Sequence, residues 1–81
     1  MMLLTLTNCP PCNLVKQYLR QADKEVPFLL YERDRQTWTE EQLDYVTRYK
    51  VQSFPTLVTD EDGVIVGSQH IINYLRTHDS I

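Results

Sequence analysis

Three shortages bound what this chain can be. No apolar run approaches the ~20 residues needed to span a bilayer, which argues against a membrane-embedded protein. Basic residues are also short: 8 Lys and Arg face 11 Asp and Glu, for a net charge of −3. Nucleic-acid and membrane-surface binders need a basic face, so neither partner is expected. Cysteine is scarcer still, with two in 81 residues. A secreted domain this small usually carries several widely spaced cysteines as a stapling framework. The opening MMLLTL is too short for a signal peptide, lacks a basic flank and runs straight into the cysteines. A soluble, cytoplasmic protein is expected, and a monomer. Low-complexity runs, repeats and linkers are missing as well, so residues 1–81 read as a single domain.

What is present is an ordinary globular mixture, 42% hydrophobic and 23% charged, too apolar for a disordered chain. Leu3 to Thr7 reads as a strand buried on both faces. A helix follows the turn Asn8-Cys9-Pro10-Pro11 and runs to about Ala22. Leu14, Val15, Tyr18, Leu19 and Ala22 form its apolar stripe, with Lys16, Gln17, Arg20 and Gln21 on the wet side. Pro27 leads into a second strand, Phe28 to Glu32. A polar connector, Arg33 to Thr37, precedes a second helix that ends near Lys50. Thr37 with Glu40 and Thr39 with Gln42 each fit a capping box at its start, and Leu43 and Val46 are read as facing inward. Thr56 to Thr59 and Val64 to Val66 make a hairpin around Asp60-Glu61-Asp62-Gly63. Ser68 is read as the N-cap of a last helix that turns Ile71, Ile72 and Leu75 inward.

The predicted order is therefore β-α-β-α-β-β-α. The first β-α-β must be a right-handed parallel crossover, and the final hairpin adds two antiparallel strands. The fold class is α/β: a mixed four-stranded sheet flanked by helices.

Cys9 and Cys12 are three residues apart. A bond between them closes almost no chain and adds little stability through the unfolded state, so the pair reads as chemical rather than structural. It lies where a strand hands over to a helix. The first turn of a helix offers unpaired N–H groups and the positive end of its dipole, and both favour thiolate, the nucleophilic form. Cys9, ahead of the helix, is expected to be exposed and to attack a target disulfide. Cys12, inside the first turn, is expected to be shielded and to resolve the mixed disulfide. Pro10 and Pro11 remove two of the nearest amide donors, leaving those of Cys12 and Asn13. The thiolate should be less stabilised than with another residue at position 11.

Blander readings of the same residues stand beside this one. A C-x-x-C pair is half of a zinc site, but His70 and His78 are not spaced as a usual zinc pair and no third cysteine exists. A non-catalytic metal or iron–sulfur carrier, using Cys9 with outside ligands, is the alternative function. A binding module that keeps the fold without turnover is another. Two buried, inert thiols fit less well among turn residues. Lys16 either tunes the cysteines or is simply solvated. Trp38, Tyr45 and Tyr49 fall near one stripe of the second helix and read as core or rim. His70 reads as an exposed helix residue or a substrate contact, and His78 as a complement to the helix dipole.

Cys9-Pro10-Pro11-Cys12 after strand one, with Ser53-Phe54-Pro55-Thr56 before strand three, resembles the thioredoxin superfamily over nearly the whole chain. The short element order resembles its minimal, glutaredoxin-like form. The resemblance implies a dithiol–disulfide oxidoreductase in which Pro55 is cis and faces the cysteines. It also implies that the backbone of Phe54 pairs with substrate. Pro10, Pro11, Phe54, Pro55, Gly67 and Ser68 are the substrate-binding candidates. A trans, strand-opening Pro55 is the structural alternative. The implied partners are a disulfide-bearing protein, such as a ribonucleotide reductase, and a reductant. The latter is glutathione as co-substrate or a thioredoxin-reductase-type flavoprotein, with no tightly bound cofactor. The chain departs from glutaredoxins at Gly67-Ser68-Gln69-His70. They carry Gly-Gly and then an acid opposite the glutathione ammonium, which an imidazole cannot replace. It departs from thioredoxin at Asn8, where a tryptophan is usual.

Overall fold

Leu3, Leu4 and Thr5 are all buried, so the first strand, β1 (Met2–Leu6), lies inside the sheet rather than at its edge. The computed structural model describes residues 1–77; His78 lies outside the described residues. After β1 come α1 (Pro10–Gln21), β2 (Phe28–Tyr31), a short 3-10 turn (Arg35–Thr37) and α2 (Glu40–Arg48). The chain continues with β3 (Thr56–Val58), β4 (Val64–Val66) and α3 (Ser68–Thr77). The strand order is β2-β1-β3-β4. β1 is parallel to β2 and antiparallel to β3, and β3 is antiparallel to β4. This is the α/β architecture that the element order predicts.

Alternation along β1 splits the core in two. Leu3 packs with Val15, Leu19, Val26, Leu57, Ile71 and Leu75, under α1 and α3. Leu4 packs with Tyr31 and Val58 on the opposite face, where Tyr45 and Val46 of α2 and its C-cap Tyr49 join them. Each fully buried Leu or Ile contributes about 1.5–3 kcal/mol.

Helix ends are set locally. Asp23 takes the left-handed conformation after α1, which directs the Lys24 N–H to the Leu19 carbonyl and the Asp23 N–H to that of Arg20. That is a Schellman closure. Lys50 does the same after α2, with the Val51 N–H on the Val46 carbonyl. At the start of α2 the capping box forms on Thr39 and Gln42. Thr37 belongs instead to the 3-10 turn, capped by Asp34.

Some inward positions differ from the periodic reading. Leu14 and Leu43 are exposed, at 53% and 40%, while Gln42 is buried. The inward stripe of α2 is Gln42, Tyr45 and Val46, continued by the C-cap Tyr49, and Leu43 falls one step off it. Gln42 is held there by polar bonds: its Nε2 donates to the Leu30 carbonyl at 2.8 Å, and its Oε1 accepts from the Thr39 N–H. Trp38 Nε1 donates to the Glu32 carbonyl. The pairing of β2 with β1 turns Leu30 and Glu32 toward the open edge of the sheet. Two side chains therefore blunt an edge that would otherwise invite another strand. Ala22 is exposed as the C-cap of α1. Ser68 lies inside α3, because the Gly67 carbonyl accepts the Ile71 N–H and fills the cap position.

Candidate active site

β1 and β2 run parallel, so the segments just past their C-terminal ends share one edge of the sheet. The Thr7 N–H bonds to the Tyr31 carbonyl at 2.9 Å and extends the pairing one residue past β1. Asn8 then turns the chain with φ 53°. This left-handed conformation is one that asparagine tolerates better than most side chains. It delivers Cys9 to the N-cap of α1 in an extended conformation, with Pro10 and Pro11 at the first two helical positions.

Cys9 and Cys12 are bonded to each other as a disulfide, with their Cα atoms 5.2 Å apart. The Cys9 sulfur is the capping acceptor of α1, taking the Cys12 N–H at 3.3 Å. The Asn13 N–H goes to the Cys9 carbonyl at 3.1 Å. Of the two amides that the prolines leave, one therefore reaches sulfur. The first turn holds no acidic residue, so the positive end of the helix is left to the sulfur.

Cys12 is fully buried and Cys9 is 7% exposed. The expected order holds, but the expected openness of Cys9 does not. Its sulfur is tied to Cys12 on one side and meets the Phe54 carbonyl oxygen at 4.0 Å on the other. The bonded sulfur carries no proton, so this is a contact. A reduced, protonated Cys9 would have the carbonyl within reach of its S–H. What exposure the pair keeps belongs to Cys9.

The Phe54–Pro55 peptide bond is cis. Pro55 is buried, and its carbonyl accepts the Gly67 N–H at 3.0 Å. Thr56 Oγ1 donates to the Ser53 carbonyl and closes the loop. Gly67 has φ 95°, a conformation that glycine adopts without strain. Cys9, Cys12 and Phe54 thus converge directly, and Gly67 joins through Pro55. Pro10 and Pro11 are exposed, at the first turn of α1. Ser68 is half-buried in the first turn of α3, and His70 is exposed beside Gly67. Lys16 turns away, its Nζ 4.9 Å from the centre of the Phe28 ring. Phe28 pairs with Leu3, far along β1 from the end that carries Cys9. A groove of about 790 Å³ lies at that remote end of α1, between Lys16, Arg20 and Phe28, and includes neither cysteine.

An aromatic trio backs the Phe54 loop. Tyr31 meets Trp38 edge-on at 4.8 Å and Phe54 at 5.0 Å. The Tyr31 hydroxyl donates to the Gln42 carbonyl at 2.8 Å, and burial, with Glu41 nearby, pushes its pKa up to about 12. Arg33, which no sequence motif marks, donates from Nη2 to the Asn8 carbonyl at 2.8 Å. Its one signal in the sequence is position: a basic residue just past a strand parallel to the one that ends at the cysteines. Among the described residues, no group of three or more His, Cys, Asp or Glu is placed to hold a metal, and no helix is long and apolar enough to cross a membrane.

A mixed sheet in this order, with a cysteine pair at the first turn of a helix and a cis-proline loop beside it, defines a small redoxin of the thioredoxin-like class. The chain belongs to the thioredoxin-like domain family, whose model matches residues 1–74. Among solved structures it is similar to the thioredoxin-like protein BC3987, with TM-score 0.65 and 26% identity over 94% of each chain. A threonine-to-alanine mutant of that protein gives TM-score 0.64 and 25% identity, over 94% of this chain and 93% of the other. A comparison with curated proteins finds no match.

Proposed function

We propose that the protein is a thiol–disulfide oxidoreductase that reduces protein disulfides, with Cys9 attacking and Cys12 resolving. The reading rests above all on the Cys9 sulfur at the N-cap of α1. It receives the Cys12 N–H, and it keeps the exposure that Cys12 lacks. The Cys9 thiolate attacks one sulfur of the target, the target disulfide breaks, and a mixed disulfide forms as one target thiolate leaves. Cys12 then loses its proton, attacks the Cys9 sulfur and expels the second target thiolate. Two electrons and two protons pass to the target, and the chain ends as the Cys9–Cys12 disulfide. The Phe54 carbonyl beside Cys9 supports docking of an extended substrate segment, such as one from a ribonucleotide reductase.

Recharging reverses the exchange, with either two glutathione molecules or a thioredoxin-reductase-type flavoprotein as donor. His70 in place of an acid favours the flavoprotein, since it offers nothing to a glutathione ammonium. The test is insulin reduction coupled to NADPH, through glutathione with its reductase in one arm and thioredoxin reductase in the other. Turnover in the second arm, exceeding the first, is the expected result. Failure in both arms, with dithiothreitol also unable to sustain reduction, overturns the proposal.

A further inference from the structure

The Cys9 sulfur has few local donors. Pro10 and Pro11 have no N–H, the Asn13 N–H is spent on the Cys9 carbonyl, and only the Cys12 N–H reaches it. On the other side the Phe54 carbonyl directs its negative end at the sulfur from 4.0 Å, which opposes ionisation. Beyond the Cys12 N–H and the positive end of the α1 dipole, further stabilisation of a thiolate has to come from charge outside the motif.

Arg33 is tied to the motif's own backbone. Its Nη2 bonds the carbonyl of Asn8, the residue before Cys9, at 2.8 Å. Covalent geometry keeps that carbonyl oxygen within about 6 Å of the Cys9 sulfur, so the guanidinium nitrogen lies within about 9 Å. That is inside the ~10 Å Debye length at 0.1 M salt. Of the charged groups nearby, Lys16, Arg35 and Asp34 have partners of their own, whereas Glu32 and His70 are exposed, as Arg33 itself is. Lys16 lies over Phe28 and Arg35 over Trp38, and the Asp34 carboxylate takes the Gln36 N–H. Glu32 is exposed at the end of β2, and His70 is exposed on α3 beside Gly67.

We infer that Arg33 is a positioning residue that stabilises the Cys9 thiolate by its charge while pinning the Asn8–Cys9 peptide. It substitutes for the helix amides that the two prolines remove. The inference deepens the oxidoreductase reading and rests on Cys9 as the attacking sulfur.

The test is the thiolate absorbance of the reduced protein titrated against pH, for wild type, Arg33→Gln and Arg33→Lys. Each is measured in 0.1 M and 1 M potassium chloride. Arg33→Gln should raise the Cys9 pKa by about half a pH unit at 0.1 M salt and slow iodoacetamide labelling at neutral pH about threefold. Arg33→Lys should restore most of both. The gap between wild type and Arg33→Gln should shrink at 1 M salt, where the screening length is about 3 Å, as a loss of packing would not. An unchanged pKa in Arg33→Gln overturns the inference, as does Arg33→Lys behaving like Arg33→Gln. The titration needs no turnover. A wild type that fails to reduce insulin would sink the functional reading and leave this result separately legible.

Discussion

The backbone N–H of Cys12 points at the sulfur of Cys9 from 3.3 Å, and Pro11, the residue between that amide and Pro10, has none to add. An N-cap acceptor ordinarily draws on the amides two and three positions into the helix. Here it draws on the third alone. Pro11→Ala would restore the second. Thiolate absorbance should then place the Cys9 pKa about half to one pH unit lower, because a hydrogen bond to the charged form favours it. An unchanged titration would mean that the restored amide does not reach the sulfur.

The two cysteines should separate cleanly by role. Cys9→Ser should lose disulfide reduction by more than about a hundredfold, since the hydroxyl is not ionised at neutral pH. Cys12→Ser should accumulate a mixed disulfide with its target, because the resolving attack is gone. Non-reducing gels and intact mass read both. Equal trapping by the two variants would contradict the assignment.

Gln42 connects α2 to the open edge of β2. Gln42→Ala removes the bond to the Leu30 carbonyl and half of the capping box with Thr39. The expected loss is about 1–2 kcal/mol, combining half of a missing cap with the lost bond to an edge carbonyl. Urea unfolding measures it. A loss below about 0.5 kcal/mol, the usual scale of surface changes, would show that the edge carbonyl is satisfied some other way.

Tyr31 makes stability depend on pH at the alkaline end. Burial favours its neutral phenol in the folded state, with a pKa raised from 10.0 to about 12. The stabilisation is therefore fully present below pH 10 and lost as pH rises toward about 12. Tyr31→Phe should be about 1 kcal/mol less stable at neutral pH, through loss of the bond to the Gln42 carbonyl. The difference should narrow across that window. A constant gap from pH 7 to 12 would rule out the linkage.

Element order, the parallel crossover through α1, the final hairpin and the placement of Cys9 are legible in the sequence because apolar runs and turn residues report them directly. The central place of β1 between β2 and β3 is set by packing and is not. Residue types narrow the capping box of α2 to Thr37 with Glu40 or Thr39 with Gln42, and the structure selects the second. Periodicity weighted by hydrophobicity fails where polar bonds outweigh it. Leu43 reads as inward because it is apolar, yet Gln42, three and four positions before Tyr45 and Val46, holds the shared face. The exposure of Cys9 is overestimated because the covering group is the carbonyl of Phe54, 45 residues away. Arg33 escapes notice for a similar reason: a side chain bonded to a main-chain carbonyl leaves no pattern in sequence. Its closeness to Asn8 emerges only once β1 and β2 are known to be parallel neighbours.

The most direct test is site-resolved alkylation of the fully reduced protein with limiting iodoacetamide at neutral pH, read by mass spectrometry of the separated peptides. Label should appear on Cys9 first, with Cys12 modified only after denaturation. Label on Cys12 as fast as on Cys9, or faster, would contradict Cys9 as the sulfur that meets substrate.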